Sequence, residues 1–211
     1  MLRTFIAILL SALFIQSAYA QTSPDQPEGQ ALIERLREGG LVVFFRHADT
    51  TGMACDSLYQ IGQREGQRNI SENGKTQSRQ IGEALKALNI PVQYPVFAGP
   101  VFRARDTAEF AFGVENVEIT DRLLADDYAD SRGVSWVIQQ HRAIFAEPPS
   151  QVGNRILVGH RTPAIIALSG QVKQPEFPEG AAIVMEPIDG EANVLGIISF
   201  VPPPNPTVNR C

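Results

Sequence analysis

From Leu41 to Phe45 five residues in a row are apolar, β-branched or aromatic, and Arg46 and His47 follow at once. An unbroken apolar run of this length predicts a strand buried on both faces of a parallel sheet. Ahead of it, Leu32, Ile33 and Leu36 fall at helical spacing and the pattern stops at Gly39-Gly40, a helix over 31–40 followed by a tight connection. Ser71 is the N-cap expected for a helix over 72–89, with Ile81, Leu85 and Leu88 on one face and Asn89 closing the last turn. Residues 94–100 predict a short strand that runs into a helix over 101–113, ended by Gly113. The alternation over 114–120 predicts another strand. A helix over 131–147 carries an apolar stripe through Val134, Val137, Ile138 and Ile144 and leaves His141 on its exposed side. Residues 155–160 repeat the buried-strand pattern and 162–170 form a short helix with proline at its start. Two closing strands, 181–187 and 193–201, form a hairpin around 188–193. Strands alternating with helices define an α/β fold, a three-layer α/β/α sandwich around a mostly parallel central sheet, with one domain over 31–201. Between the first buried strand and Ser71, residues 48–70 show little periodicity and predict a long loop, a length often associated with function.

The two ends depart from this pattern. Residues 1–20 combine Arg3, an apolar run from Phe5 to Ile15 and small residues at Ala18 and Ala20, the layout of a cleaved secretory signal. The run is shorter than the roughly 20 residues a membrane span needs. Export to the periplasm or beyond the cell is therefore expected, with no membrane span once the signal is removed. Residues 21–30 read as a flexible polar leader, and 202–211 as a proline-rich tail. Of 211 residues 44% are hydrophobic and 19% charged, an ordinary globular composition. Losing Arg3 with the signal takes the net charge from −5 to −6, and an acidic surface argues against nucleic acid as a partner. Cys55 and Cys211 lack zinc-site spacing; in an oxidising compartment they can pair if the tail folds back, and paired and free forms both stay open.

The candidate chemistry gathers where strands end. Arg46-His47 follows one buried strand, a turn leading to Arg103 and Arg105 follows another, and Gly159-His160-Arg161 follows a third. In an open α/β sheet the ligand crevice lies beyond the carboxyl ends of the strands, so these segments meet at one rim. Taken singly each is unremarkable, a capped strand end or a solvated helix face. Together they supply two arginines, whose planar forks match phosphate oxygens, and two histidines. A neutral imidazole can attack phosphorus, and a second can donate to the oxygens being transferred. Arg105, two residues from Arg103, points elsewhere on the helix; Arg68 and Asn69 read as solvated. Three histidines without paired acidic ligands imply no catalytic metal and no other cofactor.

These segments, "FFRHAD", "AGPVFRARDTAE" and "ILVGHRTP", with "RNISENGKTQSRQIGEAL" between the first two, resemble the histidine phosphatase superfamily over residues 41–186. The resemblance implies a phosphoglycerate mutase-like fold and a metal-independent phosphoric monoester hydrolase. In it His47 is the nucleophile, Arg46 and Arg103 bind phosphate, and His160 is the second histidine. The proton donor is one of Asp126, Asp127 or Glu179, Asp126 standing first. In one branch of the family the acid follows the strand after the second arginine; in the other it directly follows the second histidine, where this chain has Arg161. Ala48 stands where the family usually has glycine, and Gly99 where serine commonly precedes the proline. The partner implied is a small phosphorylated substrate, and the exported relatives suggest a sugar phosphate or an envelope-glycan phosphate. A phosphate-binding protein without turnover, and a phosphomutase, are the other readings.

Overall fold

The computed structural model describes residues 20–204 except 54, 151, 174 and 176. The signal segment 1–19 and residues 205–211, with Cys211, lie outside the described residues. β2 (Val42–Arg46) is buried along its whole length because it is the middle strand of seven. The order is β1-β7-β6-β2-β5-β3-β4, with β1 (Gln21–Thr22), β3 (Val92–Ala98), β4 (Val117–Ile119), β5 (Asn154–Gly159), β6 (Ala182–Ile188) and β7 (Glu191–Ile198). Strands β2, β5, β3 and β4 run parallel; β6 is antiparallel to both β2 and β7.

Period-two alternation sorts the central strands onto two cores. Val43 and Phe45, with Ile156 and Val158, face α1 (Pro27–Glu38), α2 (Glu72–Ala87) and α3 (Phe102–Phe112) through Leu36, Ile81, Leu85 and Ala104. Val42 and Phe44, with Leu157 and Ile183, face α4 (Gly133–Ala146) and α5 (Arg161–Ala167) through Ile144, Phe145 and Ala164. This is the expected three-layer sandwich, and both faces of β2 are covered because apolar residues occupy both phases of its alternation. Ser71 caps α2 by accepting from Gly74 N at 2.8 Å. The hairpin turns at Asp189 and Gly190, both at positive φ (52° and 80°), the backbone that a two-residue turn between twisted strands requires.

Four local expectations are corrected. The leader 21–30 is structured: Gln21–Thr22 adds a strand beside β7, and α1 begins at Pro27, with proline in its first turn. Polarity hid this, because an edge strand and a solvent-facing first turn need few apolar residues. On α4 the buried stripe holds Val137, Ile138, His141, Ile144 and Phe145, and Val134 is exposed. His141 is fully buried, its ring edge-on to Phe44 and Phe145, because its Nδ1 donates to the Val137 carbonyl at 2.9 Å and satisfies one polar atom within its own helix. Arg68 is drawn in toward the site rather than solvated, its side chain 9% exposed and its Nη2 3.6 Å from Glu179. Among the described residues no helix is long and apolar enough to cross a membrane.

Candidate active site

Parallel pairing of β2 with β5 sets Arg46 opposite Gly159, and His47 N donates to the Gly159 carbonyl at 3.0 Å. The two residues that follow these strands, His47 and His160, are therefore brought side by side, ring centroids 5.6 Å apart. His47 Nδ1 lies 2.9 Å from the Ala48 carbonyl. A carbonyl only accepts, so Nδ1 carries the proton and Nε2 the lone pair. Burial first, then the positive charges of Arg46 and Arg103, hold His47 well below the ordinary imidazole value; burial and Arg103 do the same to His160. Both rings are neutral at pH 7.

Each phosphate-type arginine is held from behind by a buried carboxylate. Arg46 donates through Nη2 to Glu179 at 3.0 Å and through Nη1 to the Phe177 carbonyl at 3.1 Å. Burial lowers its affinity for the proton and the charge of Glu179 opposes that; it stays a cation. Arg103, in the first turn of α3, donates through Nη1 to Asp56 at 2.8 Å. Asp56 also accepts from the Tyr128 hydroxyl and from Arg68 N, each at 2.6 Å. Burial works against the Asp56 charge, yet the bonds from Tyr128 and the Arg68 backbone and the charge of Arg103 outweigh it and keep the carboxyl below its usual range. Among the buried side-chain nitrogens without a partner are Arg46 Nε, Arg103 Nε and His160 Nε2 at this site; His141 Nε2 and Arg155 Nε are others, away from it. Unsatisfied buried polar atoms are rare and costly, and here two arginine donors and one imidazole nitrogen without partners belong to one site.

All four residues carried by the strand ends thus assemble: Arg46, His47, Arg103 and His160. Among the acids, Glu179 is a brace: its oxygens accept from Arg46, Thr50 N and Thr50 Oγ1. Asp126 and Asp127 share a 3₁₀ turn (Asp126–Tyr128). Asp127 reaches Arg103 Nη2 at 3.9 Å with 35% of its side chain exposed. Burial raises both carboxyls above the ordinary value, and for Asp127 solvent screens part of that effect. Arg105 turns away to Glu109, as its spacing implies. Ala48 is buried, its N–H donating to Thr107 Oγ1 at 2.9 Å. A Cβ on Gly99 would lie 2.3 Å from the Leu123 carbonyl oxygen, so glycine at that position is a packing requirement. Asp56 and Tyr128 are additions that the sequence does not signal, since neither ends a strand nor belongs to a spaced motif. Among the described residues no cluster of three or more histidine, cysteine or acidic side chains could hold a metal ion.

The fold and site define an α/β protein with a paired-histidine, paired-arginine centre at the carboxyl rim of a parallel sheet. The profile of the histidine phosphatase superfamily (branch 1) matches residues 42–150, and the chain belongs to that superfamily. Solved structures share the fold at low identity. The protein histidine phosphatase SixA complexed with tungstate is 20% identical, over 75% of this chain and 96% of its own, with a TM-score of 0.53. The product of an open reading frame from Mycobacterium tuberculosis is 15% identical over 77% and 98%, TM-score 0.51. A candidate alpha-ribazole-5'-P phosphatase from Escherichia coli is 14% identical over 74% and 95%, TM-score 0.50. No curated protein matches the chain.

Proposed function

We propose that the protein hydrolyses phosphomonoesters through a phosphohistidine at Nε2 of His47. The observation that carries this is the set of buried nitrogens without partners, Arg46 Nε, Arg103 Nε and His160 Nε2, around a neutral imidazole whose tautomer is fixed by the Ala48 carbonyl. A phosphate dianion satisfies those donors. The Nε2 lone pair of His47 forms the N–P bond as the ester P–O bond breaks, and the departing oxygen takes the electron pair together with a proton from the Asp126–Tyr128 turn. Asp127, the carboxyl in contact with Arg103, is the better placed of the two acids there. Water then attacks phosphorus, returns a proton to that carboxylate and releases inorganic phosphate, leaving His47 free. Arg46, Arg103 and His160 hold the three oxygens whose charge grows in both steps.

The signal layout of residues 1–20 supports export of the mature chain. A disulfide at Cys55 fits an oxidising compartment; Cys211, the one other cysteine, lies outside the described residues. The test is hydrolysis of an aryl phosphate by the mature chain without added metal, beside His47→Ala. Equal rates in the two proteins would sink the reading. Because SixA is a protein histidine phosphatase, a phosphohistidine peptide belongs in the same panel.

A further inference from the structure

The loop between Thr51 and Arg68 is firmly anchored and yet displays apolar side chains to water. Its two ends reach the site through Asp56 and Arg68. Arg64 makes two bonds to Asp106, at 2.5 and 2.9 Å, and lies over the Phe102 ring at 3.9 Å. Ser57 N and Leu58 N donate to the Gly66 carbonyl at 2.7 and 3.2 Å, and Gln67 ties back to the Gln60 carbonyl at 2.8 Å. Within this fixed frame Leu58, Tyr59 and Ile61 are 37, 46 and 44% exposed. Leu58 and Tyr59 both meet Tyr128, so exposed apolar surface collects there on an ordered loop, as at contact sites.

The patch is continuous with the phosphate centre. The Tyr59 ring meets the Tyr128 ring edge-on, centroids 5.4 Å apart, and the Leu58 carbonyl lies 3.5 Å from the Tyr128 hydroxyl. Tyr128 in turn bonds the Arg103 counterion Asp56, and its ring centre is 5.9 Å from the Arg103 guanidinium carbon. A phosphate held by Arg103 therefore has an aromatic and aliphatic surface beside it.

Resting on the phosphatase reading above, we infer that the leaving group of the substrate is apolar, an aryl or alkyl alcohol seated on Leu58 and Tyr59 where they meet the buried Tyr128, in place of a polar sugar. Three side chains on one loop fall far short of the roughly 20 to 30 residues a side that a stable protein interface uses. The net charge of −5 opposes docking on an anionic membrane. A small apolar substituent is the occupant that both constraints allow.

Non-hydrolysable phosphonates read this contact apart from catalysis. Calorimetry on the mature chain compares benzylphosphonate with methylphosphonate, for the native protein and for Tyr59→Ser and Ile61→Ser. Burial of one ring face is expected to make benzylphosphonate bind about tenfold tighter, and Tyr59→Ser should cut that ratio to about twofold. Methylphosphonate affinity reports whether the phosphate site of each variant is intact; should a variant lose it, the native ratio alone decides. Equal affinities of the two phosphonates for the native protein overturn the inference, as does a ratio that neither variant moves. A tenfold ratio without hydrolysis of any ester overturns the phosphatase reading, and with it the leaving-group role, while the apolar contact beside the phosphate site stands; hydrolysis with a ratio of one keeps the phosphatase reading and overturns this inference.

Discussion

The two arginines of the site are braced alike and mounted differently. Arg46 and its carboxylate Glu179 both belong to the sheet framework: Arg46 ends β2, and Glu179 stands just ahead of β6, the neighbouring strand. Glu179 also receives Thr50 N and Thr50 Oγ1, tying the exit of β2 to the entry of β6. Arg103 opens α3, but its carboxylate Asp56 comes from the loop and is locked by Tyr128 from another turn. One half of the site is thus built by strand pairing; in the other, the helix-borne Arg103 is braced by a loop carboxylate and a short turn. On the proposed mechanism the first half carries the nucleophile, and the second carries the second phosphate arginine, the acid and, by the inference above, the contact with the leaving group.

That division fails or sharpens by experiment. On the framework side His47→Ala should lower kcat by about 10⁴-fold or more, since it removes the nitrogen assigned to the covalent intermediate; single-turnover kinetics measures it. On the loop side Asp127→Asn should cost about 100-fold in kcat/KM for an alkyl ester and much less for p-nitrophenyl phosphate, whose leaving group needs little protonation. Asp126→Asn should cost less than Asp127→Asn; the reverse order would transfer the acid to Asp126. The pH profile follows from the same groups. His47 must be unprotonated and its affinity for the proton is depressed; the acid must be protonated and its value is raised. The optimum therefore lies below neutrality, and the variant lacking the true acid loses the alkaline limb of kcat/KM measured from pH 4 to 8.

The braces separate next. Glu179→Gln leaves a buried arginine short of its partner at a junction of two strands, and should lower global stability by about 3 kcal/mol in denaturant titration. Asp56→Asn should raise KM about tenfold with under about 1 kcal/mol of global loss, the damage appearing as faster hydrogen exchange over 57–66. Equal global losses would end the distinction between framework and loop. The last effect concerns His141, behind β2. Burial holds its imidazole down to about 4, while in the unfolded chain it protonates near 6.5. Between these values the unfolded chain binds more protons, so stability falls as pH drops through that window. His141→Leu should remove about 3 kcal/mol of that acid sensitivity at pH 4, read as a flatter dependence of Tm on pH.

What could be read beforehand divides along the same line. Arg46, His47, Arg103 and His160 were legible because each follows a strand or opens a helix that hydrophobic patterning marks, and strand ends in a parallel sheet converge. Arg68 and His141 read as solvated and are not, and the bonds of Glu179, one of three candidate acids, to Arg46 and Thr50 were not legible. Their burial depends on partners distant in the chain, Glu179 for Arg68 and Arg46 for Glu179, or, for His141, on a bond within its own helix. The leader 21–30 was missed because a two-residue edge strand takes its register from β7, not from any pattern of its own.

By itself, then, the sequence determined the sandwich, the central place of β2 and the four residues at its rim, since period-two and period-3.6 patterning act locally and topology carries them to one edge. Only the tertiary structure decided which carboxylate faces which arginine, that Asp127 rather than Asp126 touches Arg103, and that the loop sets Tyr59 against Tyr128. Those are pairings between side chains some 24 to 133 positions apart, and no local periodicity encodes a contact at that range.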